Sequence, residues 1–388
     1  MEIYFAMLVP VITVLVQLLF FRRRMAWWEH LLTFGVSIVT VLLAKITSDH
    51  VTKSEEYWGS IVTRVEYQEK WDEWIEETCQ RECCCDSEGK NCGTETYDCS
   101  YKRTHQPEWS LRNTIGEERS ISQKEYNRIA KVLGTEKKTD MHRDYYRIDG
   151  DMFSADWKGD SLTAIPVTTV HYYENKVKLA SSSIFHFDDL DPEEVRQYDL
   201  KEYPAVTDGY KMDAVIGDSS RDASVANKKL MYINGKLGPL KEVRAFVLVF
   251  KDQPMEAAFK QEAYWKGANM NEFVVCIGID SERNVSWCRI ISWTTNETLK
   301  VEFADFVMHQ KKLNLKNVAE ELGPSLMSFE RRDFKEFNYL TVEPSLTAII
   351  ITYVITILVN IGVTVWAIRN EFNEDGVERP RFGSSRRF

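Results

Sequence analysis

The sequence predicts an α+β protein with three transmembrane helices and one large extracytoplasmic domain, a β-rich first lobe followed by a mixed α/β second lobe. Three observations predict it: apolar runs at both chain ends, arginines on one flank of each run, and a polar middle with strand-like patterning. The mean hydropathy of −0.35 averages the two apolar ends with that middle and hides them.

Residues 1–46 are expected to form a transmembrane helical hairpin, with spans at 3–21 and 26–46. Ile3 to Phe21 is interrupted only by Pro10 and Gln17, and Ala26 to Ile46 follows a basic turn. Each run has about the 20 residues that a helix needs to cross a hydrocarbon core of about 30 Å. A signal peptide would begin with a basic region, whereas Arg22, Arg23 and Arg24 follow the first run, so that run is read as retained. The third span is 346–368, with Tyr353 and Asn360 among its few polar residues.

Lysine and arginine accumulate on the cytoplasmic side of short flanks. The arginine turn and the basic tail 369–388, with Arg369, Arg379, Arg381, Arg386 and Arg387, are therefore placed inside, and residues 47–343 outside. Trp27, Trp28 and Trp366 fall at the inner ends of their helices, where amphipathic rings settle. Thr33, Ser37, Thr40 and Ala44 line one face of the second helix, a pattern of close helix packing, and Asn360 is read as an interhelical hydrogen bond.

Setting aside the two ends leaves 40 basic against 53 acidic residues in the middle. A surface of that charge argues against nucleic acid or anionic lipid as partner of this domain. The first lobe, 47–235, opens with Ile61, Thr63, Val65, Tyr67 and Trp71 alternating with charged residues, a half-exposed strand. Tyr97 to Thr104 and Trp109 to Asn113 are expected to pair back onto it, leaving the cysteine-rich stretch at the tip of a long hairpin. Ser122 and Glu125 form a capping box ahead of a helix ending at Gly134, and Pro192 opens another.

Turns at Asn234-Gly235 and Gly238-Pro239 set the expected boundary with the second lobe, 236–343. Its apolar run Val243 to Phe250 reads as a strand covered on both faces. A helix from Pro254 to Gly267, a hairpin of Phe273 to Ile279 with Val285 to Trp293, and two further helices complete it.

Cys79, Cys83, Cys84, Cys85, Cys92 and Cys99 fall within 21 residues. Outside the cytoplasm such an even cluster reads as disulfides, in fifteen conceivable connectivities. The alternative is zinc held by Cys79, Cys83, Cys92, Cys99 and His105. Cys276 and Cys288 sit on the two arms of the predicted hairpin, as a cross-strand disulfide or as two buried thiols. His142, His171, His186 and His309 are scattered, and no nucleophile elbow, phosphate loop or dinucleotide fingerprint occurs. The acidic run Asp188, Asp189, Asp191, Glu193 and Glu194 fits a solvated helix start better than a calcium loop. Asn284-Val-Ser286 and Asn296-Glu-Thr298 match the glycosylation pattern.

The stretch Leu248 to Trp293, with Ala263-Tyr-Trp-Lys-Gly267, Asn271-Glu272 and Phe273-Val-Val-Cys-Ile-Gly-Ile-Asp280, resembles TPM domains. That resemblance implies a membrane-anchored extracytoplasmic α/β module, and carries no site residue with it. The helical hairpin, Tyr97-Asp-Cys-Ser-Tyr101, Met141-His-Arg-Asp-Tyr-Tyr146, Glu262-Ala-Tyr-Trp-Lys-Gly267 and Tyr339-Leu-Thr-Val-Glu-Pro344 are similar to uncharacterised membrane proteins of tailed phages and prophages. The expected role is recognition or assembly, with the lipid bilayer and a protein, or a second copy of the chain, as partners. A membrane-anchored hydrolase or metal-dependent enzyme, and a channel component, are the rival expectations.

Overall fold

The computed structural model describes residues 2–21, 25, 27–50, 53–83, 93–134, 136–141, 147, 148, 150–178, 180, 183, 185, 187, 189–207, 210–340 and 346–370. Cys84, Cys85, Cys92, Arg22 to Arg24, His142, His186, Asp188 and the tail 371–388 lie outside the described residues.

A 3₁₀ segment, Glu2–Met7, leads into α1 (Leu8–Phe20), and α2 (Trp27–His50) follows. Next come β1 (Lys53–Gln68), β2 (Trp71–Ile75), β3 (Thr78–Cys83), β4 (Gly93–Asp98), β5 (Tyr101–His105), β6 (Glu108–Asn113) and β7 (Glu118–Ser120). After α3 (Gln123–Leu133) stand β8 (Lys137–Thr139), β9 (Arg147–Ile148), β10 (Met152–Asp156) and β11 (Pro166–Glu174). The chain continues through α4 (Pro192–Gln197), β12 (Val215–Ile216), α5 (Arg221–Lys241), β13 (Arg244–Lys251) and α6 (Glu256–Tyr264). It ends with β14 (Glu272–Ile279), β15 (Val285–Ser292), α7 (Glu297–Met308), α8 (Leu315–Ser325) and α9 (Leu346–Asn370). The protein is therefore α+β, and the chain divides into two compact units.

The first unit holds Met1–Ser54, Tyr172–His186 and Phe334–Phe388. Two of its helices are long and apolar enough to cross a membrane, over Trp27–Ala44 and Leu346–Arg369. The run expected as the first span, 3–21, forms only a short apolar helix, Phe5–Phe20. Pro10 accounts for the difference: it lacks an N–H and its ring crowds the carbonyl four residues back, so regular α-helix begins only at Leu8.

α1, α2 and α9 pack together with their polar side chains inward and large apolar ones outward. Gln17, Thr33, Ser37, Thr356 and Asn360 are buried, while Leu19, Leu31 and Leu358 are exposed. Thr33, Ser37, Thr356 and Thr364 each donate their hydroxyl hydrogen to the carbonyl four residues earlier. Their oxygens are left to accept from side-chain amides. Gln17 Nε2 donates to Thr33 at 3.3 Å and Thr364 at 2.7 Å, and Asn360 Nδ2 donates to Ser37 at 2.9 Å. Two amides thus cross-link three helices, and the expected packing role of Ser37 and Asn360 is what the structure contains.

The second unit holds Glu55–His171 and Phe187–Asp333. Its first sheet runs β7-β6-β1-β10-β8, with β11 also paired to β1. Strict alternation in β1 fails at Thr63, where Val62 and Arg64 face consecutive residues of β6. This bulge shifts the phase of alternation, so that Val62 and Val65, three residues apart, enter the same core. Val62, Val65, Leu111 and Ala155 meet Ile129 and Leu133 of α3 in one core, and α3 starts with the expected capping box.

The second sheet runs β12-β13-β14-β15, the first three strands parallel and the last antiparallel. Seven of the eight residues of β13 and all of β14 are buried, as expected for strands covered on both faces. Arg289 on β15 reaches Glu262 of α6, while Phe273 on β14 packs against Phe303 of α7, so these helices cover opposite faces.

The turns expected at Asn234-Gly235 and Gly238-Pro239 lie instead inside α5. These glycines permit close approach rather than chain reversal. A methyl at Gly235 would stand 3.0 Å from the Ser60 carbonyl oxygen, and one at Gly238 would stand 3.0 Å from the Gly59 nitrogen. Pro239 falls near the helix end, where Glu242 closes it in a left-handed conformation.

Candidate functional site

The strands β2, β3, β4 and β5 form an arm. It grows out of β1, whose register with β6 places Tyr67 in a stack on Trp109 at 5.3 Å. The chain then passes Glu69 and Lys70, where a Cβ on Gly150 would lie 2.6 Å from the Glu69 carbonyl oxygen, so the backbones touch. β2 is held between β5 and β9, with Trp71 opposite His105 and Ile75 opposite Tyr101. β3 and β4 continue the hairpin as a sheet of two strands, from the pair Thr78 and Asp98 to the pair Cys83 and Gly93.

Side chains on the arm explain its order without a core. His105 stacks on Trp71 at 3.9 Å, and its Nε2 lies 2.9 Å from Glu73. Asp72 accepts from the Thr104 hydroxyl at 2.6 Å and pairs with Lys102 at 3.0 Å, and both hold its carboxyl below the usual carboxylate range. Arg81 lies over the Tyr97 ring and meets Glu95 at 3.2 Å. Trp74, Tyr97 and Tyr101 remain exposed. Aromatic side chains of this type supply much of the energy at protein interfaces.

Of the expected cysteine chemistry, Cys79 and Cys99 form a disulfide across the arm, with Cα atoms 5.7 Å apart. Both sulfurs are thereby withdrawn from the zinc ligand set of Cys79, Cys83, Cys92, Cys99 and His105, and His105 is engaged with Trp71 and Glu73. Among the described residues no three His, Cys, Asp or Glu converge as a metal site.

Cys276 and Cys288 are not bridged. Cys276 stands opposite Arg289 and Cys288 opposite Ile277, an odd offset that sends the two sulfurs to opposite faces of the sheet. Burial raises the Cys276 thiol well above its ordinary pKa and pushes Cys288 up to about 12. Neither has the depressed pKa of a nucleophile.

Sequence reasoning missed two clusters in the second lobe. At the amino ends of the central strands, the buried Arg244 donates to Thr168 Oγ1 at 3.2 Å and lies over Phe246. Nearby, Glu272 accepts from the Tyr203 hydroxyl and from Asn269 at 2.8 and 2.9 Å. Burial first, then Glu272, raises the Tyr203 hydroxyl, and burial lowers Arg244. The one sequence signal was an arginine at the head of an apolar run.

At the carboxyl ends stand Asp218, Asp252 and Asp280, the edge where open α/β sheets bind ligands. Asp218 pairs with Arg283 at 2.8 Å and accepts from the Ser220 amide. Burial opposes its ionisation, yet these two partners bring its carboxyl below the usual range. Asp252 accepts from Ser281 at 3.0 Å, and Asp280 from Asn284 Nδ2 at 2.7 Å. The glycosylation-pattern asparagines are likewise engaged: Asn284 with Asp280, and Asn296 as the cap of α7 and donor to the Ser328 carbonyl. His171 stacks on Trp58 at 4.0 Å, and His309 is exposed at the end of α7. Comparison with protein-family models, curated proteins and solved structures finds no match to this chain.

Proposed function

We propose that the chain is a membrane-anchored recognition or assembly protein whose disulfide-stapled arm meets a protein partner. The observation that carries this reading is the arm itself: an ordered ribbon displaying Trp74, Tyr97 and Tyr101 to solvent, outside both cores. A disulfide fits an oxidising compartment, which favours an extracytoplasmic position for this unit and a cytoplasmic tail. The three mutually packed apolar helices favour a multi-pass anchor in a lipid bilayer. α1 contributes about 20 Å and the preceding 3₁₀ segment about 12 Å, together close to the hydrocarbon thickness.

A photo-crosslinking residue at Tyr97 or Tyr101, in the full chain in its own membrane, tests the reading. Adducts are expected from both positions and not from Lys124, which is exposed on α3. Silence at both arm positions would overturn it.

A second reading, a hydrolase resembling TPM domains, is favoured by Asp218, Asp252 and Asp280 following three neighbouring strands. Turnover of an ester or phosphoester by the purified full chain, lost in Asp218→Asn, would support it. Equal turnover by that variant would remove it.

A further inference from the structure

The outer edge of β4 has a definite hydrogen-bonding phase. Cys99 N donates to the Glu77 carbonyl at 2.9 Å, one step beyond the pair Thr78 and Asp98. Alternation in an antiparallel ladder then assigns the inward bonds to the pairs 79 with 97, 81 with 95 and 83 with 93. Thr94, Thr96 and Asp98 turn their N–H and C=O groups outward. β3 and β4 form a sheet of their own among the described residues, so no third strand takes up these groups.

We propose that this edge pairs with the same edge of a second copy of the chain, antiparallel across a two-fold axis at Thr96. An open strand edge is a template for strand addition, and one patch meeting itself closes the assembly at two copies. Charge selects the register. With the axis at Thr96, Glu95 faces Tyr97 of the second copy and Thr94 faces Asp98, so no like charges stand directly opposite each other. The two Glu95 carboxylates are diagonal neighbours about 7–8 Å apart, each with its own Arg81. An axis at Asp98 would oppose two carboxylates, and one at Thr94 would leave most of β4 unpaired. The strand has neither Lys nor Pro, residues that commonly block such edges, and its Thr94, Thr96 and Tyr97 favour extended structure. β3 instead presents Gln80, Arg81 and Glu82.

The pairing rests on the arm being the recognition element and names what it recognises. Two variants of the full chain test it in its native membrane. Thr96→Cys places two thiols opposite each other and yields a reducible covalent dimer, about tenfold more than Thr94→Cys, whose thiols would be about 13 Å apart. Thr96→Pro removes an outward N–H and leaves the inward ribbon bonds and the Cys79–Cys99 link, so the arm persists while chemical crosslinking of dimers is lost. Equal dimer yields from the two cysteine variants, or undiminished dimers in Thr96→Pro, would overturn the pairing. If Tyr97 still gave photo-adducts with a different protein, the recognition reading would stand without it.

Discussion

Replacing Gly59 with Ala tests the contact on which the second unit is built. A methyl at Gly59 would lie 2.9 Å from the Gly235 nitrogen and closer still to the Asn234 carbonyl. Ordinary contact begins at 3.4 Å, so α5 must withdraw from β1 by at least about 0.5 Å. It has little freedom to do so. Asn234 donates to the Ala245 carbonyl at 2.9 Å and accepts from the Ala245 N–H at 2.8 Å, which ties the same turn of α5 to β13. Overpacking costs about 1–3 kcal/mol, and a clash between two buried backbones belongs at the upper end. For a body of this size, about 3 kcal/mol lowers the melting temperature by about 6–12 °C. Thermal unfolding of the full chain in detergent, followed by tryptophan fluorescence, reads the shift. Gly362→Ala, inside α9 with nothing within 4 Å of the added methyl, is the control and should match the parent or gain up to about 1 kcal/mol from helix propensity. A Gly59→Ala protein melting with that control would refute the argument.

Removing the staple with Cys79→Ser should loosen the arm alone. A sequence separation of 20 corresponds to about 3 kcal/mol of chain entropy, so trypsin should cut at Arg81 far faster while the body melts unchanged. Asn360→Leu and Gln17→Leu each remove an interhelical donor and should cost about 0.6–2 kcal/mol in detergent unfolding followed by circular dichroism; no shift in either would discount the cross-links. Cys276, which is buried, should resist iodoacetamide at pH 8 until the protein unfolds, with the partly buried Cys288 slowed by its raised pKa, and rapid labelling of Cys276 in the native chain would contradict its burial. Because both thiols titrate higher in the folded state, their contribution is complete below the ordinary thiol pKa. It is lost as pH rises toward about 12, so the midpoint of denaturation should fall across that range and fall less in Cys288→Ala.

Much of the fold was legible because its signals are local. The capping box at Ser122, the Pro192 helix start and the hairpin of β14 and β15 each depend on residues close in sequence. Alternation marked β1, but the run Tyr97 to Thr104, expected to pair back onto it, is divided between β4, which pairs with β3, and β5, which pairs with β2. The cysteine cluster marked a staple without specifying Cys79 with Cys99. Gly235 and Gly238 were misread because glycine serves both a turn and a close crossing, and only the strand opposite distinguishes them. The bulge at Thr63 also depends on the partner strand. Arg244, Tyr203 and Glu272 are far apart in sequence and acquire meaning only when the strands bring their ends together. Cys276 and Cys288 sit on the two arms of the predicted hairpin, yet a one-residue offset in register separates them by the full thickness of the sheet.

The strongest reason to look for function in the arm is what holds it. Strands of the first sheet bury Val62, Val65, Leu111 and Ala155, and strands of the second bury Phe246, Phe250 and Phe273, so each has a structural task. Every residue of β4 is exposed, and β3 supplies none of the fully buried positions. Fixing a backbone residue costs about 1–2 kcal/mol of entropy, and an isolated two-stranded hairpin is at best marginally stable. The Cys79–Cys99 link and the pairs of Arg81 with Glu95 and Asp72 with Lys102 offset that cost where a core would otherwise do so. None of those bonds adds to either core. The order they confer holds one strand edge and a few aromatic rings in a fixed presentation, and the proposed partner is to be sought at that edge and those rings.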